Sequence, residues 1–282
     1  MKKDAALMFC LTSNHAFALG TVLVNLKAVS PRFPADIIVI HDGISKRDMD
    51  AMRRIMPVHF RKYSSPFDKL DAFNNSVLST FSPMVFAKFE AFKLLSEYRT
   101  VLYSDYDIVI LDDFSELLMP SVSGARFIRS IGATVADQVY APVAEYDMHR
   151  ECVCASLFCL NENLKQYERL YSWCYEKALQ YGKNLRLGEQ AILDFMFQEF
   201  DITIDEMEQN IYSWYPNKDF GTTRPKVLHA WGQPKYWNGL DNELWNDYYG
   251  RWVAMGGSTK ERRTVMKCAV GLLRRIKKVA LG

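Results

Sequence analysis

The sequence has no long apolar run, and no stretch approaches the roughly 20 consecutive apolar residues that a membrane-spanning helix requires. A signal peptide is not expected either. Lys2 and Lys3 precede an apolar segment, Ala5 to Leu11, but that segment is only about seven residues long and no small-residue cleavage site follows it. We therefore predict that it is the first buried strand of a globular, soluble domain.

Cysteine is also sparse, with six residues in a chain of 282, and most of them lie inside apolar runs. Such cysteines are typical of reduced core side chains, so we expect a cytoplasmic location. The spacing of Cys152, Cys154 and Cys159 fits no common zinc motif. Because 49% of the residues are hydrophobic, the chain can bury a large core without needing a second domain.

The net charge is small, +2, but it is unevenly distributed. Residues 259–282 hold eight basic residues and one acidic residue, which gives them +7 and leaves −5 on residues 1–258. A nucleic-acid-binding protein usually carries basic groups over its folded body, so no nucleic-acid partner is expected. The asymmetry predicts a folded domain at 1–258 and a basic tail at 259–282.

The basic tail has the pattern of an amphipathic helix, whose apolar face is Val265, Met266, Ala269, Val270, Leu273 and Ile276. Such a helix can lie on an anionic membrane surface, where each basic residue contributes about 1 kcal/mol. We therefore predict peripheral association with the inner face of the cytoplasmic membrane. The alternatives are a helix that packs on its own domain and a disordered, solubilising end.

The first part of the chain alternates between strand-like and helix-like segments. The predicted elements are a strand at Ala5 to Leu11, a helix at Ala16 to Val29, a strand at Asp36 to Ile40, a helix at Ser45 to Met56 and a strand at Val58 to Tyr63. This alternation indicates an α/β fold with a mostly parallel central sheet flanked by helices. Ligands of such folds bind at the carboxyl ends of the strands.

The later part of the chain gives a less regular pattern. The predicted elements are a helix at Pro83 to Tyr98, a strand at Cys152 to Leu160, helices at Glu162 to Tyr181 and Gly188 to Phe200, and a short strand at Ile202 to Ile204. Residues 124–150 give no clear prediction. From residue 211 onward, the abundance of Trp, Tyr, Pro and Gly predicts ordered loops packed by aromatic side chains.

Two aspartates, Asp105 and Asp107, lie between two apolar segments, with Tyr106 between them. In an extended chain residues i and i+2 point the same way, so the two carboxylates should converge while Tyr106 faces away. Like charges so close are unfavourable without a cation or a shared proton. We predict a divalent metal site that holds a phosphorylated ligand. The alternative is a solvated turn that carries two carboxylates by chance.

A second informative segment begins at His229, directly after the apolar residues Val227 and Leu228. Its imidazole is a competent third metal ligand, Gly232 allows a ligand to approach the backbone closely, and Lys235 can bind a phosphate. The alternative for the histidine is an ordinary hydrogen-bonded loop residue. Residues 12–15, at the end of the first predicted strand, can belong to the same site as the aspartates.

Together these motifs resemble the glycogenin-like retaining glycosyltransferases, in particular bacterial galactosyl- and glucosyltransferases that build lipooligosaccharide and capsule. The resemblance covers roughly residues 5–240. It implies a GT-A-type nucleotide-sugar-binding domain. It also implies that Asp105, Asp107 and His229 bind Mn²⁺ (or Mg²⁺) beneath a UDP-sugar, and that Gly232 and Lys235 contact its diphosphate.

The resemblance also assigns residues to the two ends of the donor. Thr12, Asn14 and His15 stand where the family contacts uracil and ribose, and Tyr106 is expected to contact the donor as well. On the sugar side, the residues with family counterparts are Lys88, Glu189 and Gln190. The family arginine at the Lys88 position reaches the diphosphate and sugar, Glu189 should bind a sugar hydroxyl, and Gln190 should lie beneath the reacting carbon.

Two departures from the family pattern leave the donor sugar open. Ile128 stands where an acidic sugar-binding residue is common, and Cys154 stands where the family usually has asparagine. Sugar selectivity depends on hydrogen bonds to individual hydroxyls, so both changes bear on it. Arg126 and Arg129 nearby can accept a uronic acid, although surface arginines are the simpler interpretation.

The implied activity is transfer of a hexosyl group from a UDP-sugar to a hydroxyl of a cell-surface glycan or glycolipid, with the anomeric configuration retained. The metal, Lys235 and Lys88 would stabilise the leaving diphosphate, because charge develops there. Gln190 is a poor nucleophile, so it is expected to position the donor or to stabilise positive charge on the sugar.

Three other functions share part of these patterns. Asp105 and Asp107 fit the nucleophile motif of haloacid-dehalogenase-like phosphatases, but that class places the motif on its first strand. Residues 221–226 imitate part of the glycine-rich signature of sugar-phosphate nucleotidyltransferases, but they come too late in the chain. A catalytically inactive protein that binds a sugar nucleotide or carbohydrate through a metal is the third alternative.

Overall fold

The computed structural model describes residues 1–67 and 70–260, and its central element is a seven-stranded sheet. In chain order the strands are β1 Lys3–Leu11, β2 Asp36–His41, β3 Val58–Lys62, β4 Tyr98–Ser104, β5 Ile108–Ile110, β6 Ala125–Thr134, β7 Glu151–Asn161, β8 Asp205–Met207 and β9 Val227–His229. The order across the sheet is β3-β2-β1-β4-β7-β6-β8, while β5 and β9 form a separate pair. β1 to β4 are mutually parallel, β7 is antiparallel to β4 and β6, and β8 is parallel to β6.

Helices cover both faces of this sheet. They are α1 Ala16–Val29, α2 Lys46–Ile55, α3 Asn75–Phe81, α4 Glu90–Leu94, α5 Tyr167–Gln180, α6 Gly188–Glu199, α7 Gln209–Tyr212 and α8 Glu243–Ala254. The apolar side chains of α4, α5 and α6 pack in one core cluster, and those of α1, α2 and α8 pack in the other. The predicted α/β fold with a mostly parallel central sheet is confirmed.

The apolar run of β1 is continuous because both faces of this strand are buried. Ala6, Met8 and Cys10 belong to the first core cluster, whereas Leu7, Phe9 and Leu11 belong to the second. A strand buried on both faces needs apolar residues at consecutive positions, because neighbouring side chains point to opposite faces. The chain leaves β1 at Leu11, and its next residues are therefore presented at the carboxyl edge of the sheet.

Several predicted elements are confirmed closely. The α1 helix has the predicted bounds, and α2 begins where expected because the Ser45 side chain accepts a hydrogen bond from the Asp48 N–H.

The contact between α1 and α8 depends on a glycine. A Cβ on Gly20 would lie 2.4 Å from ring atoms of Trp252, so only glycine permits this close approach.

Other predicted elements differ from the structure. The helix predicted at Pro83 to Tyr98 is a 3₁₀ segment, Pro83–Phe89, followed by α4, and Tyr98 instead pairs with Lys3 in the sheet. The helix predicted from Glu162 begins only at Tyr167, because Gln166 has a φ of 58°. No strand forms at 202–204 in the described chain. The strand is β8, where pairing with β6 overrides its polar sequence.

The largest correction concerns the region predicted to consist of loops after residue 211. It contains α8, whose first turn is capped by the Asn242 side chain, which accepts from the Trp245 N–H. Aromatic residues made this segment look irregular, but Trp245 and Trp252 are core residues of a helix packed on α1.

Residues 261–282, most of the predicted tail, lie outside the described residues. Within the part that the structure describes, no helix has both the length and the apolarity needed to cross a membrane.

Candidate active site

The two aspartates lie where the chain passes from the large sheet to the small one. β4 ends at Ser104 and β5 begins at Ile108, so Asp105 to Asp107 form a bend instead of the extended segment that we predicted. Two backbone hydrogen bonds fix this bend: the Asp105 N–H donates to Ser156 O over 2.7 Å, and Asp107 O accepts from the Ala230 N–H over 2.9 Å.

The pairing of β5 with β9 brings His229 to the aspartates. Ile108 lies opposite His229 in this antiparallel ladder, which places the imidazole next to Asp107. His229 Nε2 lies 3.3 Å from Asp107 Oδ1, and one ligand atom from each of Asp105, Asp107 and His229 lies within 4.8 Å of the other two. The predicted convergence of these three residues is therefore present.

Ser213 orients the His229 ring through the ring nitrogen Nδ1. The Ser213 Oγ lies 2.9 Å from His229 Nδ1, and both side chains are buried. A metal-binding histidine commonly uses its second ring nitrogen in this way, which leaves the other nitrogen free for an ion. Sequence reasoning missed Ser213, because nothing in its neighbourhood marks it as the partner of a residue sixteen positions later.

Lys235 reaches the same carboxylate. Its Nζ contacts Asp107 Oδ2 and donates a 2.8 Å hydrogen bond to Ala230 O. Burial alone would raise the pKa of the Asp107 carboxyl, but His229 and Lys235 hold this pKa well below its ordinary value. Asp107 is therefore an ionised carboxylate near neutral pH, which is the form that binds a cation. Gly232 lies between these residues with a φ of 74°, a left-handed conformation that favours glycine.

A second ionic group adjoins the first through Asp105. Lys88 Nζ lies 3.2 Å from Asp105 Oδ1 and 2.7 Å from Glu189 Oε1, and Lys88 and Glu189 are largely buried. Burial lowers the pKa of Lys88, but the two carboxylates raise it above its ordinary value. Burial raises the pKa of Glu189, and Lys88 opposes that shift. Asp105 thus belongs both to the possible metal ligands and to this second ionic group.

Within the described residues, the β4–β7 ladder ends at Leu157, and side chains take the place of a strand at the β7 edge near residues 153–155. The Ala155 N–H donates to Gln190 Oε1 over 3.0 Å, and Ala155 O accepts from Lys88 Nζ over 3.0 Å. Two residues earlier, the Val153 N–H donates to the Asp194 carboxylate over 3.1 Å. Cys154, between them, has its Sγ 3.1 Å from Ser156 Oγ.

The predicted nucleotide residues lie on the other side of the bend. His15 Nδ1 is 3.0 Å from Tyr106 Oη and 3.0 Å from Thr12 Oγ1, and Asn14 contacts Thr12. Trp237 completes this group, since its ring centroid is 5.6 Å from that of His15. Tyr106 therefore faces away from the carboxylates, as predicted, and towards residues 12–15. Burial lowers the pKa of His15, which favours the neutral ring.

Arg129 follows the simpler of its two predicted interpretations, and Asp42 is a residue beside the site that no sequence motif indicated. Arg129 pairs with Glu206 over 3.1 Å and donates to Glu151 O, which supports its interpretation as a surface arginine. Asp42 was not predicted, yet it accepts a 2.7 Å hydrogen bond from the Ser13 N–H and fixes the loop after β1.

Comparison with known proteins gives a family. The sequence profile of glycosyl transferase family 8 matches residues 6–241, which is most of the chain. No curated protein matches the chain at a significant level.

Solved structures share the fold at low sequence identity. The galactosyltransferase LgtC, in complex with donor and acceptor sugar analogues, has a TM-score of 0.66 and 16% identity, covering 93% of this chain and 99% of LgtC. The bifunctional glycosyltransferase WbbM has a TM-score of 0.63 and 16% identity, covering 89% of this chain and 50% of WbbM. Apo GlyE from Streptococcus pneumoniae has a TM-score of 0.61 and 18% identity, covering 90% of this chain and 62% of GlyE. This chain thus spans only half of WbbM.

Proposed function

This chain belongs to glycosyl transferase family 8 and is a glycosyltransferase, and we propose that it moves a hexosyl group from a UDP-sugar to a hydroxyl of a saccharide or glycolipid, with retention of configuration. The observation that carries this proposal is the convergence of Asp105, Asp107 and His229 to within 4.8 Å. Asp105 contacts Lys88, which we assign to the sugar side of the donor, and Tyr106, between the two aspartates, contacts His15, which we assign to the nucleotide side.

The donor atoms of the three residues fit a divalent ion. Two carboxylate oxygens and one imidazole nitrogen suit Mn²⁺ and accommodate Mg²⁺. Asp105 is the most exposed of the three, with 25% of its side chain accessible, so a diphosphate can reach the group from that side. A bound ion would supply positive charge that stabilises the diphosphate as it leaves the sugar.

The two lysines have different roles. Lys235 contacts Asp107 and has 19% of its side chain exposed, so its ammonium can also bind phosphate oxygens. Lys88 is held by three acceptors, Asp105, Glu189 and Ala155 O, which fix the position of its ammonium group. We therefore assign phosphate binding to Lys235 and donor positioning to Lys88. Thr12, Asn14, His15 and Tyr106 form the surface for uracil and ribose.

The contacts of Gln190 favour a role as a hydrogen-bond donor. Its Oε1 already accepts from the Ala155 N–H, so the polar group left for a substrate is its NH₂. Glu189 is held by Lys88 and is likewise poorly placed to attack. We propose that the acceptor hydroxyl attacks from the face that the diphosphate leaves. The bond from the sugar to the diphosphate breaks, the bond to the acceptor forms, and a departing phosphate oxygen takes the proton.

The uneven charge of the chain supports a proposal about its location. Residues 259–282 carry +7, and we propose that they bring the enzyme to the inner face of the cytoplasmic membrane. There it would meet a lipid-linked acceptor for lipopolysaccharide or capsule synthesis. Removal of residues 261–282 should reduce sedimentation with anionic lipid vesicles while leaving donor hydrolysis intact. Equal sedimentation of both proteins would contradict this location.

The proposed activity is tested with a panel of UDP-hexoses in the presence of Mn²⁺ or EDTA, with UDP release as the readout. We expect one donor to be hydrolysed or transferred, and only with the metal. Asp105→Asn should abolish this turnover, whereas the matched control Asp112→Asn, at an exposed aspartate outside the site, should keep it. Turnover that is independent of metal, or that survives in Asp105→Asn, would contradict the proposal.

A further inference from the structure

A cleft of about 300 Å³ lies beside the candidate site, on the side that we assign to the donor sugar. Ser213, the partner of His229, lines it, and so does Trp231, two residues after His229. The nucleotide-side residues follow β1, whereas this cleft lies at the ends of β6 and β8, which are three and four strands away from β1 across the sheet. The cleft is therefore on the side of the aspartates opposite to the nucleotide group.

The walls of the cleft are aromatic. Tyr215 and Trp231 have ring centroids 5.0 Å apart, and Trp214 lines the same space. Trp231 keeps 46% of its surface exposed, which is a large exposure for a tryptophan beside a functional site. Aromatic rings with one free face bind the apolar C–H face of a pyranose, and tryptophan combines this apolar area with low flexibility.

The rim supplies hydrogen-bond donors. Lys218 and Asn210 line the cleft, and neither side chain has a hydrogen-bond partner among residues 1–67 and 70–260. Amide and ammonium N–H groups are complementary to sugar hydroxyl oxygens. An aromatic wall with a few convergent polar groups is the usual composition of a small-molecule site.

We propose that this cleft is the acceptor subsite, and that a pyranose ring of the acceptor stacks on Trp231 and Tyr215. The inference rests on the proposed transferase function and adds to it the side from which the acceptor enters. The side chains that recognise the acceptor are the aromatic pair, together with Asn210 and Lys218 at the rim.

The test uses methyl glycosides of glucose, galactose and N-acetylglucosamine, together with lactose, as probes. Saturation-transfer NMR measures their binding to the full chain, and acceptor KM is measured with the accepted UDP-sugar. We expect Trp231→Ala and Tyr215→Ala to raise acceptor KM at least tenfold. The control Tyr140→Ala, at an exposed tyrosine outside the cleft, should change it less than twofold. The affinity for UDP with Mn²⁺ reports separately on the donor side.

The outcomes separate the two proposals. If wild type neither binds UDP with Mn²⁺ nor hydrolyses a donor, the proposed function itself fails. If wild type uses a donor but none of these saccharides binds, or if both cleft variants keep the wild-type acceptor KM, the acceptor subsite is elsewhere and this inference is overturned.

An independent observation concerns the unpaired edge of β7. Four side chains satisfy the four backbone groups there. Asp194 and Gln138 bond the N–H and O of Val153, and Gln190 and Lys88 bond those of Ala155. Gln190 and Asp194 are four residues apart on α6 and thus lie on one helix face. Asp194 is 2% exposed and makes no ion pair within the described part of the chain.

We also infer that Asp194 is a positioning residue. Asp194 fixes the β7 edge at Val153, and this sets the position of the Ala155 backbone. Ala155 in turn positions Gln190 and Lys88 beneath the donor sugar. Asp194→Leu removes the acceptor and keeps the branching at Cγ, whereas Asp194→Asn keeps a carbonyl acceptor. We expect Asp194→Leu to lower kcat for donor turnover at least tenfold while changing UDP affinity less than twofold, and Asp194→Asn to recover most of kcat.

Thermal unfolding and circular dichroism check that both variants fold. A purely structural role predicts that kcat and UDP affinity fall together with the folded fraction, and that result would overturn the assignment. Unchanged kcat in folded Asp194→Leu would overturn it as well. Should Asp194→Leu not fold, failure of folded Asp194→Asn to keep wild-type kcat would count against it.

Discussion

Replacing each aspartate in turn should have different effects on stability, although both replacements should abolish metal-dependent turnover. Asp107 is 7% exposed and contacts both His229, at 3.3 Å, and Lys235. Removing one partner of a buried ionic group costs about 3–5 kcal/mol, because the remaining charge stays buried without compensation. Asp107→Asn should therefore lose about 3 kcal/mol of unfolding free energy, since the asparagine oxygen retains part of the contact.

Asp105 has a less critical structural role. Its side chain is 25% exposed, and its partner Lys88 retains Glu189 at 2.7 Å and Ala155 O at 3.0 Å when Asp105 is neutralised. We expect Asp105→Asn to lose about 1 kcal/mol, the usual value of one hydrogen bond.

Urea denaturation in EDTA, followed by tryptophan fluorescence and circular dichroism, measures both stability losses. Asp112→Asn is the matched control and should behave as wild type in stability and in Mn²⁺-dependent UDP release. Equal stability losses for the two site variants would refute the buried-partner argument. Mn²⁺-dependent turnover in either variant would refute the assignment of these residues to the metal.

Three further perturbations test other parts of the account. Lys235→Met should weaken UDP binding at least tenfold in calorimetric titrations with Mn²⁺, because a phosphate-binding charge is lost; unchanged affinity would contradict that role. Burial raises the pKa of Asp194 to about 7, above its ordinary 3.8, so its stabilising contribution is complete below that ordinary value and is lost as pH rises through 7. Asp194→Asn should therefore remove up to about 3 kcal/mol of the stability decrease between pH 5 and pH 8, at ~1.4 kcal/mol per pKa unit, which urea titrations at both pH values would show or exclude. Gly20→Ala should lower the unfolding free energy by about 1–3 kcal/mol, since its methyl group would overlap Trp252, and an unchanged melting temperature would refute this packing argument.

The parallel half of the sheet could be predicted because its signals are local. β1 and β2 contain apolar runs of the right length, and β3 alternates between apolar and polar residues. The α1 sequence is densely apolar, and α2 has an amphipathic period and a serine cap. α8 carried a comparable cap, Asn242, but its aromatic residues resembled the surrounding loops. β8 could not be predicted, since its polar sequence forms a strand only by pairing with β6.

The site could be predicted in part for the same reason. Asp105, Asp107 and His229 were recognised from motifs, but the pairing of β5 with β9 that joins them links segments far apart in the chain. Lys235 is also far from its partner in the chain, since it contacts Asp107, which lies 128 positions earlier. Ser213, Gln138 and Asp194 act by bonding other protein groups, and no motif marks such residues.

The most direct test of the central claim is calorimetric titration of UDP into the full chain with Mn²⁺ and, separately, with EDTA. We expect UDP to bind with Mn²⁺, EDTA to weaken this binding at least tenfold, and His229→Ala to give the same loss in the presence of the metal. Equal UDP affinity with and without Mn²⁺, or wild-type affinity in His229→Ala, would contradict it.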